Sequence, residues 1–390
     1  MQRAEPHTAD APALLARLRG RKCVLFGTGS AAGEFLTRCP LSVAFAVDND
    51  HRRWDQMFRG IEIKPPTALQ QVDPTEYAVV IASSAVEPIL RQLEGLGFGG
   101  SDNILVSPFI QRTVTLPAAT QLLVSCFGEG GGLFVVRPEQ KSFERVYSGG
   151  CRGLVRQGDN YLIADEERGL VRLSADFKVQ QVLQLDPLIN IHGLCVDAAH
   201  DRVLVLETAN DAIGVYDGGT LALVRRHHVA RSKAPTADEH HVNHLLVHDG
   251  RLYASMFSLN GVWRREIWND GAIVELDPEN FSVIRVLMHG LSQPHSIHFV
   301  GDQLYYCNSM EFEVRTGDRP FFRGNGYTRG LTSQGTTFFI GQSRVRRLTR
   351  YQERFLAISR DTGINIHDAQ SRTFTFLALR AEGLFDILVL

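Results

Sequence analysis

The stretch Asn243-His244-Leu245-Leu246-Val247-His248-Asp249-Gly250-Arg251-Leu252-Tyr253-Ala254 sets two short apolar runs on either side of an Asp-Gly turn, the pattern of a β-hairpin. The two-strand phrase occurs four more times. It reads Arg152-Gly153-Leu154-Val155 with Asp159-Asn160-Tyr161-Leu162-Ile163-Ala164, and His192-Gly193-Leu194-Cys195-Val196 with Asp201-Arg202-Val203-Leu204-Val205-Leu206. It returns as His295-Ser296-Ile297-His298-Phe299 with Asp302-Gln303-Leu304-Tyr305-Tyr306, and as Arg329-Gly330-Leu331-Thr332 with Thr336-Thr337-Phe338-Phe339-Ile340. The copies start at 152, 192, 243, 295 and 329, steps that match a four-stranded propeller blade with variable loops. Three strands before the first copy, Gln121 to Cys126, Gly132 to Val136 and Phe143 to Tyr147, lack an inner partner, and the sequence ends on an isolated strand, Phe385 to Leu390. The last strand is therefore predicted to supply the inner strand of that blade, closing a ring of six with no free edge.

Ahead of the repeats the periodicity is different. The apolar run Cys23-Val24-Leu25-Phe26 leads into the turn Gly27-Thr28-Gly29-Ser30-Ala31-Ala32-Gly33 and a helical stretch; strands Val43 to Val47 and Tyr77 to Ala82 follow, the latter before a helix from Glu87 to Leu96. Continuous apolar strands joined by helices indicate a parallel sheet covered on both faces. The fold class is thus multidomain α/β plus all-β: an N-terminal extension (1–20), a Rossmann-like nucleotide-binding-type domain (21–115) and a six-bladed β-propeller (116–390), with a linker at Ser107 to Ala119.

With 41 Lys+Arg against 43 Asp+Glu, the chain has no basic field for a phosphate backbone, so nucleic acid is not an expected partner. The cysteines Cys23, Cys39, Cys126, Cys151, Cys195 and Cys307 form no Cys-x-x-Cys pair and read as reduced thiols. The acidic, proline-containing start lacks a signal-peptide apolar region and no run spans a bilayer, so a cytoplasmic, non-membrane protein is expected.

Two places carry chemistry. Gly27, Gly29 and Ser30 stand in the turn between a strand and a helix, Ser83 follows the third strand, and Asp48 ends the second strand where an acid holds a ribose hydroxyl. These residues point to a nucleotide or nucleotide-sugar, or to a shape that serves assembly. In the propeller, the residues that open the inner strands converge on one axis: Arg152, His192, Asn243, His295, Arg329, and Phe385 with Asp386, with His241 two residues before Asn243. His192, His241 and His295 could bind Zn, Mn or Fe, completed by Asp386 or Asn243, or act as acid and base; Arg152 and Arg329 suit an anionic substrate. His244 and His298 read as blade residues, Glu207, Asn308, Glu311 and Gln342 as loop-surface residues or as lining of the same mouth, Arg225 to Lys233 as a solvated basic loop, and Arg319 to Tyr327 as either a flap or a packed loop.

Residues 21–108, through VLFGTGSAAGEFL, FAVDNDHRRWDQMFRGIEI and VVIASS, resemble the small Rossmann-like domains of polysaccharide-biosynthesis sugar O-acetyltransferases and sugar C-methyltransferases; the resemblance implies a nucleotide-sugar or coenzyme-type ligand. Residues 120–390, through HVNHLLVHDGRLY, GLSQPHSIHFVGDQLYYCNS, GYTRGLTSQGTTFFIGQSRVR and GLFDILVL, resemble an uncharacterised bacterial six-bladed propeller family, related in shape to gluconolactonase-like and strictosidine-synthase-like propellers. That resemblance marks His241, Asn243, His295, Arg329 and Asp386, and the calcium-binding acids of gluconolactonase-like enzymes are not in matching places.

The expectation is an enzyme of sugar or secondary metabolism acting on a small anionic molecule at the channel, of lyase, hydrolase or isomerase type. His192, His241, His295, Arg329 and Asp386 are its catalytic candidates, and Arg152, Asn243 and Arg329 its substrate-binding ones. A non-catalytic glycan- or peptide-binding scaffold of a biosynthetic complex is the alternative, with a second copy or a biosynthetic partner; an NAD(P) oxidoreductase ranks lower because no further α/β catalytic domain follows.

Overall fold

The computed structural model describes residues 18, 20–39, 41–98, 103–110, 120–229, 238–265, 269–346 and 348–390. Most of the N-terminal extension and of the linker, and Arg231 and Lys233 of the basic cluster, lie outside them; Arg225 to His228, expected in a loop, belong instead to the strand Leu223–His228. Contacts divide the chain into two compact units, residues 1–113 and 114–390.

The first unit is a six-stranded mixed sheet of β1 (Lys22–Phe26), β2 (Val43–Val47), β3 (Met57–Phe58), β4 (Ile61–Lys64), β5 (Tyr77–Ile81) and β6 (Ile104–Val106), in the order β3-β4-β2-β1-β5-β6. All neighbours run parallel except β3 and β4. Alternation along β1 explains its continuous apolar run: Cys23 and Leu25 pack with Phe35 of helix α1 (Ser30–Arg38), and Val24 and Phe26 with Ile89 and Leu93 of helix α2 (Val86–Gly95). Sequence reading sees three parallel strands here. β4 and β6, four and three residues long, are too short to stand out as apolar runs.

The second unit is a propeller of six four-stranded antiparallel sheets. Their innermost strands are Cys151–Gln157, Ile191–Asp197, Val242–His248, Pro294–Val300, Tyr327–Gln334 and Gly383–Val389. The last pairs with Leu122–Phe127, Leu384 lying opposite Cys126, so the C-terminal strand closes the ring. Leu384 and Ile387 are buried there among Leu122, Val124, Phe339 and Ile364.

Each innermost strand breaks register within its first residues: between Cys151 and Leu154, Ile191 and Leu194, Val242 and His244, His295 and Ile297, Thr328 and Leu331, and Leu384 and Asp386. Such a bulge takes its residues out of the ladder and re-aims their side chains. The residues released include Arg152, His192, Asn243, Arg329 and Phe385. Close approach of neighbouring strands demands glycine beside two of them, since a Cβ on Gly153 would lie 2.4 Å from the His192 carbonyl oxygen and one on Gly193 2.8 Å from that of Asn243. Hydroxyls then pin the strands from the adjacent blade. Thr208 Oγ1 donates to the Val242 carbonyl (2.7 Å), Ser309 Oγ to that of Thr328 (2.6 Å) and Ser343 Oγ to that of Leu384 (2.8 Å), in each case the residue just before the bulge.

An antiparallel meander puts the start of each innermost strand at the same end as the connection between its second and third strands. The connections after Phe127, Asp165, Glu207, Met256, Asn308 and Ser343 therefore surround one mouth of the axis. Arg319–Arg323 is no flap but the fourth strand of its blade, with Phe322 opposite Val314 and Phe321 packed on Tyr305 and Phe338. All six cysteines are buried and free, and among the described residues no helix is long and apolar enough to cross a membrane.

Candidate functional site

Arg329, released by its bulge, has its guanidinium carbon 5.0 Å from the ring centre of Tyr327, 5.4 Å from Phe127 and 5.7 Å from Phe385. No carboxylate among the described residues comes within ion-pair distance of it, and its buried Nε has no hydrogen-bond partner. Burial, and the Arg152 and Arg346 charges nearby, act against its protonated form. A desolvated cation without a counter-charge is costly, and evolution retains one where an anion arrives to balance it.

Arg152 is differently placed. Its Nε and Nη2 both donate to Glu166 Oε1 (2.9 and 2.7 Å), and its Nη1 meets His192 Nε2. Expected to clamp an anion, Arg152 is paired with Glu166 and holds His192. Asn243 is likewise engaged, its Nδ2 donating to the Pro294 carbonyl (3.1 Å) and its Oδ1 accepting from Ser255 Oγ (2.9 Å), so it ties two blades together.

The hydrogen bonds define the imidazole tautomers. His192 accepts from Arg152 on Nε2 and so carries its proton on Nδ1, which is buried without a partner. His295 donates from Nδ1 to the Gln293 carbonyl (3.0 Å), with Ser309 Oγ at 2.8 Å, leaving Nε2 as a bare acceptor. Burial and neighbouring guanidinium charge hold the pKa values of His192 and His295 well below the usual imidazole range, so both are neutral.

His241 forms a dyad that sequence reasoning missed. Its Nδ1 meets Asp238 Oδ1 at 2.7 Å, while Arg264 holds the other carboxylate oxygen at 2.8 Å. The arrangement orients the ring and leaves Nε2 free to take a proton. Both residues have positive φ, 45° for Asp238 and 52° for His241, a conformation that costs about 1 kcal/mol or more for a side-chain-bearing residue. Asp211 sustains it by accepting the backbone N–H groups of Glu239, His240 and His241. The available signal was Asp238 three residues before His241.

The three imidazoles do not share an ion-sized space. His192 and His241 have ring centres 5.2 Å apart, but Phe257 stacks on His241 at 4.2 Å and meets His295 edge-on at 5.0 Å. Among the described residues no three His, Cys, Asp or Glu side chains gather as metal ligands would. The donor set expected for Zn, Mn or Fe therefore does not fit. The Asp386 carboxyl is pushed up to about 7 by burial, against backbone N–H groups of Ile387 and Leu154 that favour its charge. Glu207 is fully buried against Arg226 and Tyr216, and His244 and His298 lie within innermost strands.

In the first unit Gly27, Gly29, Ser30, Asp48 and Ser83 line one cleft of about 530 Å³. Asp48, expected to hold a ribose hydroxyl, is hydrogen-bonded within the unit. Its Oδ2 accepts from Thr28 N (2.9 Å) and Oγ1 (2.5 Å), its Oδ1 accepts from Asp50 N (2.9 Å), and Arg53 Nη1 donates to the Thr28 carbonyl (2.9 Å). The acid's short reach to the adjacent turn engages it locally.

Together these features define a six-bladed propeller with an aromatic-walled, arginine- and histidine-bearing site at one end of its axis, in a chain that also carries an α/β unit. Residues 174–390, more than half of the chain, match the family described as a domain of unknown function (DUF4915), and the chain belongs to that family. No curated protein matches the sequence. Among solved structures the chain is similar to a nidogen/laminin complex (14% identity, covering 69% of this chain and 98% of that chain, TM-score 0.49). It is also similar to a protein of unknown function from Bacteroides caccae (10% identity, 70% and 99% covered, TM-score 0.49) and to a calcium-binding protein, regucalcin, from Agrobacterium tumefaciens (13% identity, 60% and 76% covered, TM-score 0.42).

Proposed function

We propose that the chain is an enzyme that binds a small carboxylate or comparable anion at the propeller mouth and moves a proton on it, in an isomerase- or lyase-type reaction. The observation that carries this is Arg329, a buried guanidinium with no carboxylate partner among the described residues, held by three aromatic rings. The anion binds Arg329. His241 Nε2 accepts a proton from a carbon of the bound acid while Asp238 stabilises the imidazolium; the proton then returns to a neighbouring atom of the ligand in an isomerisation, or passes to the leaving group as its bond to the adjacent carbon breaks and a double bond forms in an elimination. His192 Nδ1–H donates to the charge that develops, with Arg152 and Glu166 keeping that tautomer. The imidazoles act here as acid, base and donor, not as metal ligands.

The strand order of the first unit supports a Rossmann-like reading, in which its cleft takes a nucleotide-linked group through the Gly27–Ser30 turn.

The test is NMR of a panel of aliphatic, sugar and aromatic carboxylates in D2O with the wild-type protein, Arg329→Met and His241→Ala. Binding lost in Arg329→Met, together with deuterium wash-in that disappears in His241→Ala, is the expected result. Binding without wash-in identifies a carrier or scaffold instead, and binding that survives Arg329→Met sinks the anion assignment.

A further inference from the structure

Three guanidinium carbons surround the single ring of Phe127: Arg346 at 5.2 Å, Arg329 at 5.4 Å and Arg152 at 5.6 Å from its centre. Glu166 neutralises Arg152, and Glu382 pairs with Arg346 at 3.0 Å. Arg346 also lines a second space, a cleft of about 570 Å³ on the same face of the propeller. Arg344, Arg360 and Arg380 line it too, and none of these three has an ion pair with any described residue. Glu129 and Asp361 are the other acids on its wall, and neither reaches ion-pair distance of a described residue. Like charges gathered around one cavity repel one another, and an anion relieves that repulsion while offering oxygens to planar donors. Arg346 lines this cleft and shares the Phe127 ring with Arg329, which places the cleft beside the axial site.

We propose that the ligand of the axial site carries two anionic groups, a carboxylate on Arg329 and a phosphate-class group in the cleft of Arg344, Arg346, Arg360 and Arg380. This rests on the anion reading of Arg329 and gives that ligand its class, a phosphorylated or phosphonylated acid. The carboxylate sits in the desolvated aromatic site and sets orientation. The phosphate-class group binds arginines that are largely hydrated, so its share of the affinity falls with salt.

Calorimetric titration of the whole chain with benzoate, inorganic phosphate and 4-(phosphonomethyl)benzoate, in 50 mM and 250 mM NaCl, tests it. The expected result is that the doubly charged probe binds the wild-type protein about tenfold or more tighter than benzoate at low salt. In Arg344→Ala/Arg380→Ala that advantage disappears while benzoate binding is unchanged, and in Arg329→Met both organic probes are lost. If benzoate binds and the phosphonate adds nothing, or if the double variant keeps the advantage, the second subsite is overturned while the Arg329 assignment stands. If phosphonate affinity persists in Arg329→Met, the two groups do not share a ligand and the proposal falls. Failure of every probe to bind the wild-type protein overturns both readings.

Discussion

At Arg329 stability and binding pull in opposite directions. The guanidinium is buried beside Arg152 and Arg346 with no carboxylate partner among the described residues, so its charge costs stability unless an anion binds. Arg329→Met keeps the stem that packs on Phe127 and Phe385 and deletes the charge, and Tm is expected to rise. A gain of about 1 kcal/mol corresponds to roughly 2–4 °C for a unit of this size, read by calorimetry. Anion binding by the same variant is expected to be lost; a fall in Tm instead would make Arg329 a packing residue. The dyad gives a second prediction. Asp238→Asn leaves the shape of the segment but removes the charge that supports an imidazolium, so deuterium wash-in should drop about a hundredfold or more with anion affinity unchanged. Asp238→Glu should restore part of the rate, which a purely structural role would not produce. The positions Arg152, His192 and Arg329 were legible because each opens a repeated phrase. Their roles were not, because Glu166 and Phe257 enter through connections, and Phe127 from the end of a strand, that no repeat marks.

Among the elements, the innermost strands do the positioning. Each leaves its ladder at a bulge, and Thr208, Ser309 and Ser343 grip the carbonyl just before it. Ser343 makes the tightest case, since it both donates to the Leu384 carbonyl and accepts from the Leu384 N–H (3.1 Å), one residue from Phe385. Ser343→Ala removes both bonds and leaves buried groups unsatisfied, so a loss of about 1–3 kcal/mol is expected from denaturant midpoints. Phe385 stacks on His192 and bears on Arg329, so anion affinity should weaken in the same variant. Unchanged affinity with reduced stability would separate the closing strand from the site. The sequence pattern located these strands, because alternation and Asp-Gly turns are local signals. The bulges left a trace as well, in the Gly that follows Arg152, His192 and Arg329, where the next strand approaches too closely for a Cβ.

For the molecule as a whole, ring closure buries titratable groups that the unfolded chain exposes, and two opposing pH effects follow. His192 and His295 have pKa values held well below the ordinary imidazole value, and burial brings His244 and His298 down to about 4. Between roughly pH 6.5 and 4 the unfolded chain binds these protons and the folded chain does not, so stability falls with acid by up to about 1.4 kcal/mol per pH unit for each histidine. Asp386 acts in the opposite sense. Its carboxyl is raised to about 7, so across that window the folded state holds a proton that the unfolded state has lost, and acid stabilises the fold through this group. Asp386→Asn removes the opposing slope while keeping an acceptor for the Ile387 N–H. The variant is expected to exceed the wild type in stability at pH 8, where the buried carboxylate is ionised, and to lose stability more steeply between pH 6.5 and 5. Urea midpoints at pH 8, 6.5 and 5 for the two proteins check both limbs. Parallel curves would mean that Asp386 is hydrated by the channel and ionises like an exposed carboxylate, which would also remove it as a proton-carrying group at the axis.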